Sequence, residues 1–272
     1  MQGILVGGHN INNLRYADDS TLLAESEKEL QKMVDTVVES SKRKGLTINC
    51  KKTVCMVISK HKLAKECKIL IDDTPIKQVK KFNYLGSLIT DDGKCDQEIR
   101  KRIGMAKDAF EKLGSIMKNN KISMKTKIRI MNCYVFSILT YGSECWNISQ
   151  VMEKRIEAAE MWFLRRMMRI SWTERMTNKE VLERAGIKRF LLKAIRKRQL
   201  EFLGHVMRKE GLENLSVTGK INGKRSRGRQ RITYIASISR WMNATEQEVL
   251  NTTKDRKKWK SMIANVLVGQ GT

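Results

Sequence analysis

The chain has 272 residues, which is enough for one large domain or two smaller ones with a substantial apolar core. Apolar residues make up 41% and charged residues 31%, so the composition excludes a disordered protein and is typical of a globular one. Lys and Arg number 54 against 29 Asp and Glu, and the resulting net charge of +25 favours a polyanionic partner, above all nucleic acid.

Two adjacent aspartates, Asp18 and Asp19, lie between two segments of strand-forming composition. Residues Asn13–Tyr16 and Thr21–Ala24 are predicted strands, so the two carboxylates fall in the turn that joins them. A second aspartate pair, at residues 72–73, precedes the only proline of the chain and is predicted to be a surface turn. Because the chain contains both pairs, adjacent aspartates alone do not distinguish a solvated turn from half of a metal site.

A helix is predicted after this turn. Ser26 and Glu29 have the spacing of a capping box, and apolar residues then recur at helical intervals from Leu30 to Val38. Gly45 suits the left-handed residue that ends such a helix. The next segments, LTINC and TVCMVIS, are rich in β-branched residues and are predicted strands. Further strands are predicted within ILIDDTPIKQVKKFNYLGSLIT, so the first third is mixed α/β.

Downstream of these strands the periodicity becomes helical. Apolar residues alternately three and four apart predict a helix over residues 99–117, and two more helices are predicted in KTKIRIMNCYVFSILTYG and VMEKRIEAAEMWFLRRMMRI. Thr177 with Glu180, and Thr245 with Glu248, indicate two further helix starts.

Three tryptophans lie in the helical region, and their role has two interpretations. Apolar side chains at helical spacing usually pack inward, so Trp146, Trp162 and Trp172 are predicted to be core residues. The alternative is a platform on which nucleic-acid bases stack.

Basic charge is concentrated in the second half of the chain. Residues 151–272 hold 28 Lys and Arg against 12 Asp and Glu, a net charge of +16, which leaves +9 for residues 1–150. Two clusters of six basic residues are predicted to contact nucleic-acid phosphates. The first, on a predicted helix, comprises Lys188, Arg189, Lys193, Arg196, Lys197 and Arg198. The second comprises Lys220, Lys224, Arg225, Arg227, Arg229 and Arg231, for which a solvated loop or a nuclear-import signal is the alternative.

Three motifs in the first third carry a family resemblance. Tyr16-Ala17-Asp18-Asp19 between two strands resembles the Y-x-D-D motif of reverse transcriptases. GLTINCKKT resembles the palm motif that follows it in non-LTR (LINE-type) retrotransposon enzymes, and FNYLGSLIT resembles their primer grip. LTYGSECW, LGHVMRKE and DRKKWKSMIANV are similar to the thumb and C-terminal region of the same elements. The whole chain therefore resembles the C-terminal part of such an enzyme.

The resemblance implies a role for each matched residue. Asp18 and Asp19 would be catalytic residues and ligands of Mg²⁺ or Mn²⁺ in the two-metal site of the intact enzyme. The nucleotide would be bound by Tyr16, Ala17 and Lys52. The primer would be held by Tyr84, Leu85 and Gly86. The implied partners are an RNA template and a DNA primer or target.

One catalytic element of the family is absent from the pattern. Reverse transcriptases carry another catalytic aspartate on an earlier palm strand, but fifteen residues precede Tyr16 and none is acidic. We therefore expect the fingers and the first catalytic strand to be missing, so that the chain alone is inactive and the missing portion is a potential partner. The alternatives are a non-catalytic RNA- or DNA-binding module and the non-functional product of a truncated insertion.

The predicted architecture is α+β, with a partial reverse-transcriptase palm of antiparallel sheet and packed helix followed by helices. It divides into a partial palm at residues 1–92, a helical thumb-like domain at 93–204, and a basic loop with a helical tail at 205–272. The chain has no long uncharged apolar run, so no membrane partner is expected. Six cysteines without a C-x-x-C pair and three scattered histidines exclude a zinc finger and agree with an intracellular location, nuclear or cytoplasmic.

Overall fold

The computed structural model of the protein describes residues 3–59, 66–219 and 233–269. Its contacts divide the chain into two units, Met1–Lys94 with Glu210–Gln230 and Cys95–Lys209 with Arg231–Thr272. The strands lie in the first unit and the second unit is helical, so the predicted α+β class is confirmed. The division into palm, thumb and tail domains stays a prediction. No helix among the described residues is long and apolar enough to cross a membrane.

Short strand pairs make up most of the first unit. Four pairs are antiparallel hairpins with two-residue turns: β1 (Ile4–Val6) with β2 (His9–Ile11), β3 (Asn13–Tyr16) with β4 (Asp19–Leu22), β6 (Leu70–Ile71) with β7 (Thr74–Pro75), and β9 (Lys81–Tyr84) with β10 (Ser87–Thr90). The fifth pair, β5 (Val54–Cys55) with β8 (Lys77–Gln78), is parallel. Within the described residues each strand has a single partner, so the predicted antiparallel pairing takes the form of separate ribbons.

A single helix, α1 (Glu27–Arg43), organises the core of this unit. It packs against β4 and β6, and its buried face joins a small apolar cluster that contains Val34, Cys55, Ile69 and Ile71. The predicted cap is confirmed, because the Ser26 hydroxyl accepts a hydrogen bond from the Glu29 amide. The reciprocal half of the capping box is not among the helix's cap contacts.

Polar contacts fix the register of α1 against the neighbouring hairpin. The Gln31 side-chain amide donates to the Leu70 carbonyl at 2.9 Å and accepts from the Leu70 amide at 2.8 Å, so it pairs with β6 as a strand would. Lys42 Nζ lies 2.5 Å from Asp72 Oδ1 at the turn of the same hairpin. A short helix, α9 (Leu212–Thr218), belongs to this unit, and Leu215 lies beside Gly7 in the turn between β1 and β2.

The second unit is a helical assembly with an aromatic core. Its helices are α2 (Asp96–Lys112), α3 (Gly114–Met117), α4 (Met124–Ile130), α5 (Ser137–Leu139), α6 (Gln150–Met167), α7 (Asn178–Ala185), α8 (Leu191–Met207), α10 (Tyr234–Met242), α11 (Glu246–Lys254) and α12 (Arg256–Gly269). Phe110, Phe136 and Phe163 meet at centroid distances of 5.4 and 5.5 Å in its interior. The capping boxes predicted for α7 and α11 are both present.

Several predicted elements differ in extent from the observed ones. The helix predicted over residues 99–117 is interrupted at Leu113, although its stripe from Ile99 to Met117 is buried as expected apart from the partly exposed Leu113. The helix in KTKIRIMNCYVFSILTYG contains a π-helical stretch, Met131–Phe136, between α4 and α5. It ends before the SEC part of LTYGSECW, because Gly142 is left-handed and a 3₁₀ turn follows at Ser143–Cys145.

A close approach of α8 and α12 explains the glycine of the LGHVMRKE segment. A Cβ atom at Gly204 would overlap the indole ring of Trp259, which is 3% exposed. The Trp259 indole N–H donates to the Leu200 carbonyl at 2.9 Å, which fixes the ring against this helix. The glycine in LGHVMRKE and the tryptophan in DRKKWKSMIANV therefore depend on each other.

We predict that Gly204→Ala lowers the free energy of unfolding by about 1–3 kcal/mol, because the added methyl group overpacks the contact with Trp259. Helix propensity alone would give the opposite sign, with a gain of about 1 kcal/mol. Gly104→Ala in α2 is the matched control, since nothing lies within 4 Å of the added atom. Urea denaturation of both variants measures the effect, and equal stabilisation by the two substitutions would contradict the packing.

Candidate active site

The Asp18–Asp19 pair lies at the tip of the hairpin formed by β3 and β4. Tyr16 pairs with Asp19, so the two turn residues are Ala17 and Asp18, and the second strand begins two residues earlier than predicted. All four residues are exposed, with 65% of Tyr16 accessible to solvent. The structure therefore presents one carboxylate on the turn and the other on the first residue of β4.

The backbone at this tip adopts a conformation that is costly for its sequence. Ala17 has a φ of 52°, in the left-handed region that favours glycine, and such a residue costs on the order of 1–2 kcal/mol. Among the described residues, Leu85 is the other apolar side chain with a left-handed φ, at 48°. These two strained positions belong to the two hairpins whose sequences resemble the catalytic motif and the primer grip.

The second aspartate pair provides an internal comparison. Asp72 and Asp73 are the two turn residues of the β6–β7 hairpin, with φ values of 48° and 59°. Aspartate tolerates this conformation better than alanine or leucine, and such turns favour it. The prediction of an exposed surface turn at this pair is confirmed. The two hairpins therefore differ. In the Asp18–Asp19 hairpin the left-handed turn residue is the apolar Ala17, whereas in the Asp72–Asp73 hairpin both left-handed residues are aspartates.

The β3–β4 hairpin is anchored at its base by apolar packing. Leu22, the last residue of β4, packs against the cluster formed by Val34, Cys55 and Ile71. Leu30 of α1 packs against the same cluster. The base of the hairpin is thereby fixed to the core of the first unit while its tip lies in solvent, the arrangement that a site on a rigid scaffold requires.

Asn49 builds the turn that presents Lys52. Its side-chain oxygen accepts hydrogen bonds from the amides of Lys51 and Lys52 at 3.1 and 3.2 Å, and its carbonyl accepts from the Thr53 amide at 3.0 Å. LTINC is therefore not the strand that its β-branched residues predict, since the Asn49 side chain competes for these backbone donors. The Lys52 side chain is exposed at the end of the turn.

The segment that resembles a primer grip is a tight hairpin. Tyr84 pairs with Ser87, and Leu85 and Gly86 form a turn with positive φ at both positions, the type-I′ pattern. Leu85 is 39% exposed, so it is not a core residue. At the other end of the hairpin Thr90 is buried, and its hydroxyl lies 2.6 Å from Asp92 Oδ1. The turn residues thus face solvent above a fixed base.

The set of metal-binding side chains at the β3–β4 hairpin is smaller than a two-metal centre requires. No group of three His, Cys, Asp or Glu side chains that could hold a metal ion occurs among the described residues. Two neighbouring aspartates supply carboxylate oxygens of the kind that Mg²⁺ prefers, but they do not by themselves complete a metal pair. The site therefore fits two of the ligands that the resemblance implies and not the full set.

The structure separates the basic residues predicted to contact nucleic acid. Arg196 is 3% exposed and pairs with Glu153, so the prediction that it contacts phosphate is wrong. Lys188 and Arg189 precede α8 rather than lying on it, and Arg189 forms an ion pair of 3.1 Å with Glu157. Lys197 and Arg198 are exposed. The Lys197 ammonium lies 3.8 Å from the Glu201 carboxylate, and the Arg198 guanidinium lies 3.7 Å from the Glu144 carboxylate. The Lys193 ammonium lies 3.5 Å from the Leu267 carbonyl. The second cluster, at residues 220–231, lies outside the described residues.

One tryptophan departs from the predicted core position. Trp146 is buried and Trp162 is partly buried, but Trp172 is 84% exposed, so its assignment to the core is wrong. The signal is present in the sequence, because Ser171 and Glu174 have capping-box spacing and place Trp172 on the first turn of a short helix.

Comparisons with known proteins agree with this geometry. Residues 1–89 match the model of the reverse transcriptase (RNA-dependent DNA polymerase) family. The chain is 30% identical over 275 aligned residues to a transposon-derived protein of Caenorhabditis elegans, and the alignment covers 95% of this chain and 97% of the relative. No solved structure matches the chain. The similarity to the relative thus extends well beyond the reverse-transcriptase match and through the helical unit.

We predict that Asn49→Ala lowers the free energy of unfolding by about 1 kcal/mol, because the amides of Lys51 and Lys52 lose their side-chain acceptor. Hydrogen exchange of the peptide spanning residues 46–55 should accelerate in this variant. Asn49→Asp keeps an acceptor at the same position and is the control, with stability and exchange near those of the wild type. If Asn49→Ala exchanges as slowly as the wild type, the side chain does not hold the turn.

Proposed function

Because the chain belongs to a family of transposon-derived proteins related to reverse transcriptases, we propose that it is the distal palm, thumb and tail of an RNA-directed DNA polymerase from a non-LTR (LINE-type) retrotransposon. The observation that carries this proposal is the exposed Tyr16–Asp19 hairpin tip, strained at Ala17 and anchored through Leu22. An ordinary solvated turn gains nothing from such strain, whereas active sites commonly retain it.

We propose that polymerisation requires a third carboxylate from another polypeptide segment. Asp18 and Asp19 contribute two acidic side chains, and the described residues bring no third metal-binding side chain into a group with them. In this proposal Lys52 offsets negative charge on the incoming nucleotide, and the Leu85–Gly86 turn contacts the primer end through its exposed backbone. This chain then supplies two of the three carboxylates of a composite site and does not complete the reaction alone.

The activity that the chain retains by itself is proposed to be nucleic-acid binding. Residues 151–272 carry a net charge of +16, and the segment from Lys220 to Arg231 contains no acidic residue. A surface of this kind binds RNA or DNA mainly through phosphates, with little preference for base sequence. Because Arg189 and Arg196 of the first basic cluster form ion pairs within the chain, we expect the second cluster, Lys220 to Arg231, to contribute more of the binding free energy.

We predict that the isolated chain shows no templated DNA synthesis with Mg²⁺ or Mn²⁺. Addition of a separate polypeptide with the fingers and the early palm strand of a related polymerase should produce primer extension. Asp18→Asn should then abolish extension while co-purification of the two chains persists. Asp73→Asn, in the turn of the comparison hairpin, is the matched control and should leave extension unchanged.

Two results of this assay would contradict the proposal. Extension by the isolated chain that disappears on Asp18→Ala would show that two carboxylates suffice here. Extension by the assembled chains that survives Asp18→Asn would place the active site elsewhere.

We predict that the triple substitution of Arg225, Arg227 and Arg229 by Ala weakens binding to all RNA and DNA sequences by a similar factor. For every phosphate that the variant no longer neutralises, the steepness of the log-log salt dependence should fall by about 0.9 on duplex and about 0.7 on single strands. The same charge removed from residues 1–94, by Lys28→Ala, Lys68→Ala and Lys77→Ala, is the control. Titrations at several salt concentrations decide between them, and equal slopes for both triple variants would mean that only net charge matters.

A further inference from the structure

A basic cleft with an exposed tryptophan lies at the C-terminal end of α6. It encloses about 840 Å³ and is lined by Lys118, Trp162, Arg165, Arg166, Arg169, Ile170, Ser171, Trp172, Arg175 and Met176. Of these described residues, five are basic and none is acidic. The cleft lies entirely within the helical unit, and its lining shares no residue with either basic cluster predicted above.

Trp172 is held in its exposed position by a well-defined local structure. It opens the 3₁₀ turn Trp172–Glu174, in which the Ser171 amide donates to the Glu174 carboxylate at 2.7 Å and the Ser171 hydroxyl accepts from the Thr173 amide at 3.3 Å. Arg175 ends this turn in the left-handed region, with a φ of 47°. Ile170 is 9% exposed and packs with the core, so the chain is fixed immediately before the tryptophan.

The two tryptophans of the cleft differ in availability. Trp162 packs against Phe110 and Phe163 at centroid distances of 5.7 and 5.1 Å, and Lys107 and Arg166 already lie 4.8 and 5.2 Å from its ring. Within the described part of the chain, Trp172 has no ring contact of this kind, and it is 84% exposed. Its indole faces are therefore open to a ligand, which is unusual for so large an apolar side chain.

Two arginines of the cleft are positioned by hydrogen bonds to carbonyl groups, which do not neutralise them. Arg165 donates to the Met176 carbonyl at 3.0 Å and Arg169 donates to the Lys118 carbonyl at 2.7 Å, and neither bond removes the positive charge. Lys118 is the exception, because it pairs with Glu111 at 3.3 Å, whereas Glu174 lies 3.8 Å from Arg184, which is not a lining residue of the cleft. Arg169 and Arg175, which precede and follow Trp172 by three residues in the sequence, are both exposed.

We propose that this cleft binds single-stranded nucleic acid, with one unpaired base stacked on Trp172 and the flanking phosphates on Arg169 and Arg175. A flat aromatic face beside basic side chains is the combination that recognises single strands, since every base has a face that can stack. In a duplex the bases are already stacked on one another, so the duplex offers Trp172 only its phosphates. This inference deepens the proposed function, on which it rests.

The test compares two oligonucleotides that share a backbone. Twelve-residue oligouridine and an abasic oligomer of the same length are titrated into the full chain at fixed salt. We expect Trp172→Ala to weaken oligouridine binding roughly 5-fold to 150-fold, the range for loss of one base–aromatic stack, and to leave abasic binding unchanged. Trp172→Phe should retain most of the affinity, and Trp172→Leu, which is apolar without an aromatic face, should behave as Trp172→Ala.

Fluorescence provides a second readout. Stacking should quench the emission of Trp172, so oligouridine should quench the wild type more than Trp172→Phe, and the abasic oligomer should quench both equally little. Arg175→Ala should weaken both oligomers to the same extent. Arg155→Ala, an exposed arginine on α6 outside the cleft, removes the same charge and is the control.

The outcomes separate this inference from the function on which it rests. If the chain binds both oligomers and Trp172→Ala changes neither, the cleft proposal is overturned while nucleic-acid binding stands. If the chain binds neither oligomer, both proposals fail. If vesicles with anionic lipid bind the wild type but neither oligomer does, the cleft is a membrane-surface site and the nucleic-acid assignment is wrong.

Discussion

Two carboxylates on one face of α6 hold α8 in place, and the helical unit depends on them. Glu160 is fully buried and accepts hydrogen bonds from the amides of Phe190 and Leu191 at 2.9 and 3.1 Å, so it caps the start of α8. Burial raises the pKa of Glu160, and the two amide bonds and nearby Arg189 oppose that rise. Two turns earlier, Glu153 pairs with the buried Arg196 in the middle of α8. Removal of either acid would leave buried amides or a buried cation without its partner, which is costly.

The same line of contacts continues from α8 to the turn after α5. Gln199 is fully buried, and its amide group donates to the carbonyls of Ser143 and Trp146 at 3.0 and 2.8 Å. Arg198 donates to the Thr140 carbonyl at 3.1 Å on the neighbouring face. The α8 helix therefore satisfies backbone carbonyls of the segment from Thr140 to Trp146, which contains the 3₁₀ turn Ser143–Cys145. These polar contacts act together with the left-handed Gly142 to fix the TYGSECW turn.

This network determines which basic residues remain available for a ligand. In a chain with 54 Lys and Arg and 29 Asp and Glu, each internal ion pair removes one cation from the surface and leaves the excess elsewhere. Charge density along the sequence cannot show which cations are removed, because the pairing of Arg196 with Glu153 joins residues 43 positions apart. Charge density therefore predicted a phosphate contact at Arg196, which is buried and structural, and did not indicate the basic cleft at Trp172.

Local sequence signals performed best where a few adjacent residues decide the structure. The caps at Ser26, Thr177 and Thr245 and the hairpin around Asp18 follow from side chains within a turn of each other. They failed where a side chain competes with the backbone, as Asn49 does in the predicted LTINC strand. The prediction that Trp172 is buried was wrong for a different reason. Helical spacing predicted burial, whereas a capping box at Ser171 and Glu174 places the residue on an exposed turn.

The two units carry different chemical features. The first unit holds two carboxylates on a strained tip, and strain can persist only where packing at the hairpin base overcomes it, which here means Leu22 in the cluster with Val34. In the second unit α8 is fixed by the buried Glu160 and by Glu153, which pairs with the buried Arg196. Since the alignment with the transposon-derived relative covers 95% of the chain, both arrangements lie within the shared region. In the function proposed above, the acidic tip would supply metal ligands and the basic helical surface would bind the phosphates of the nucleic-acid strand.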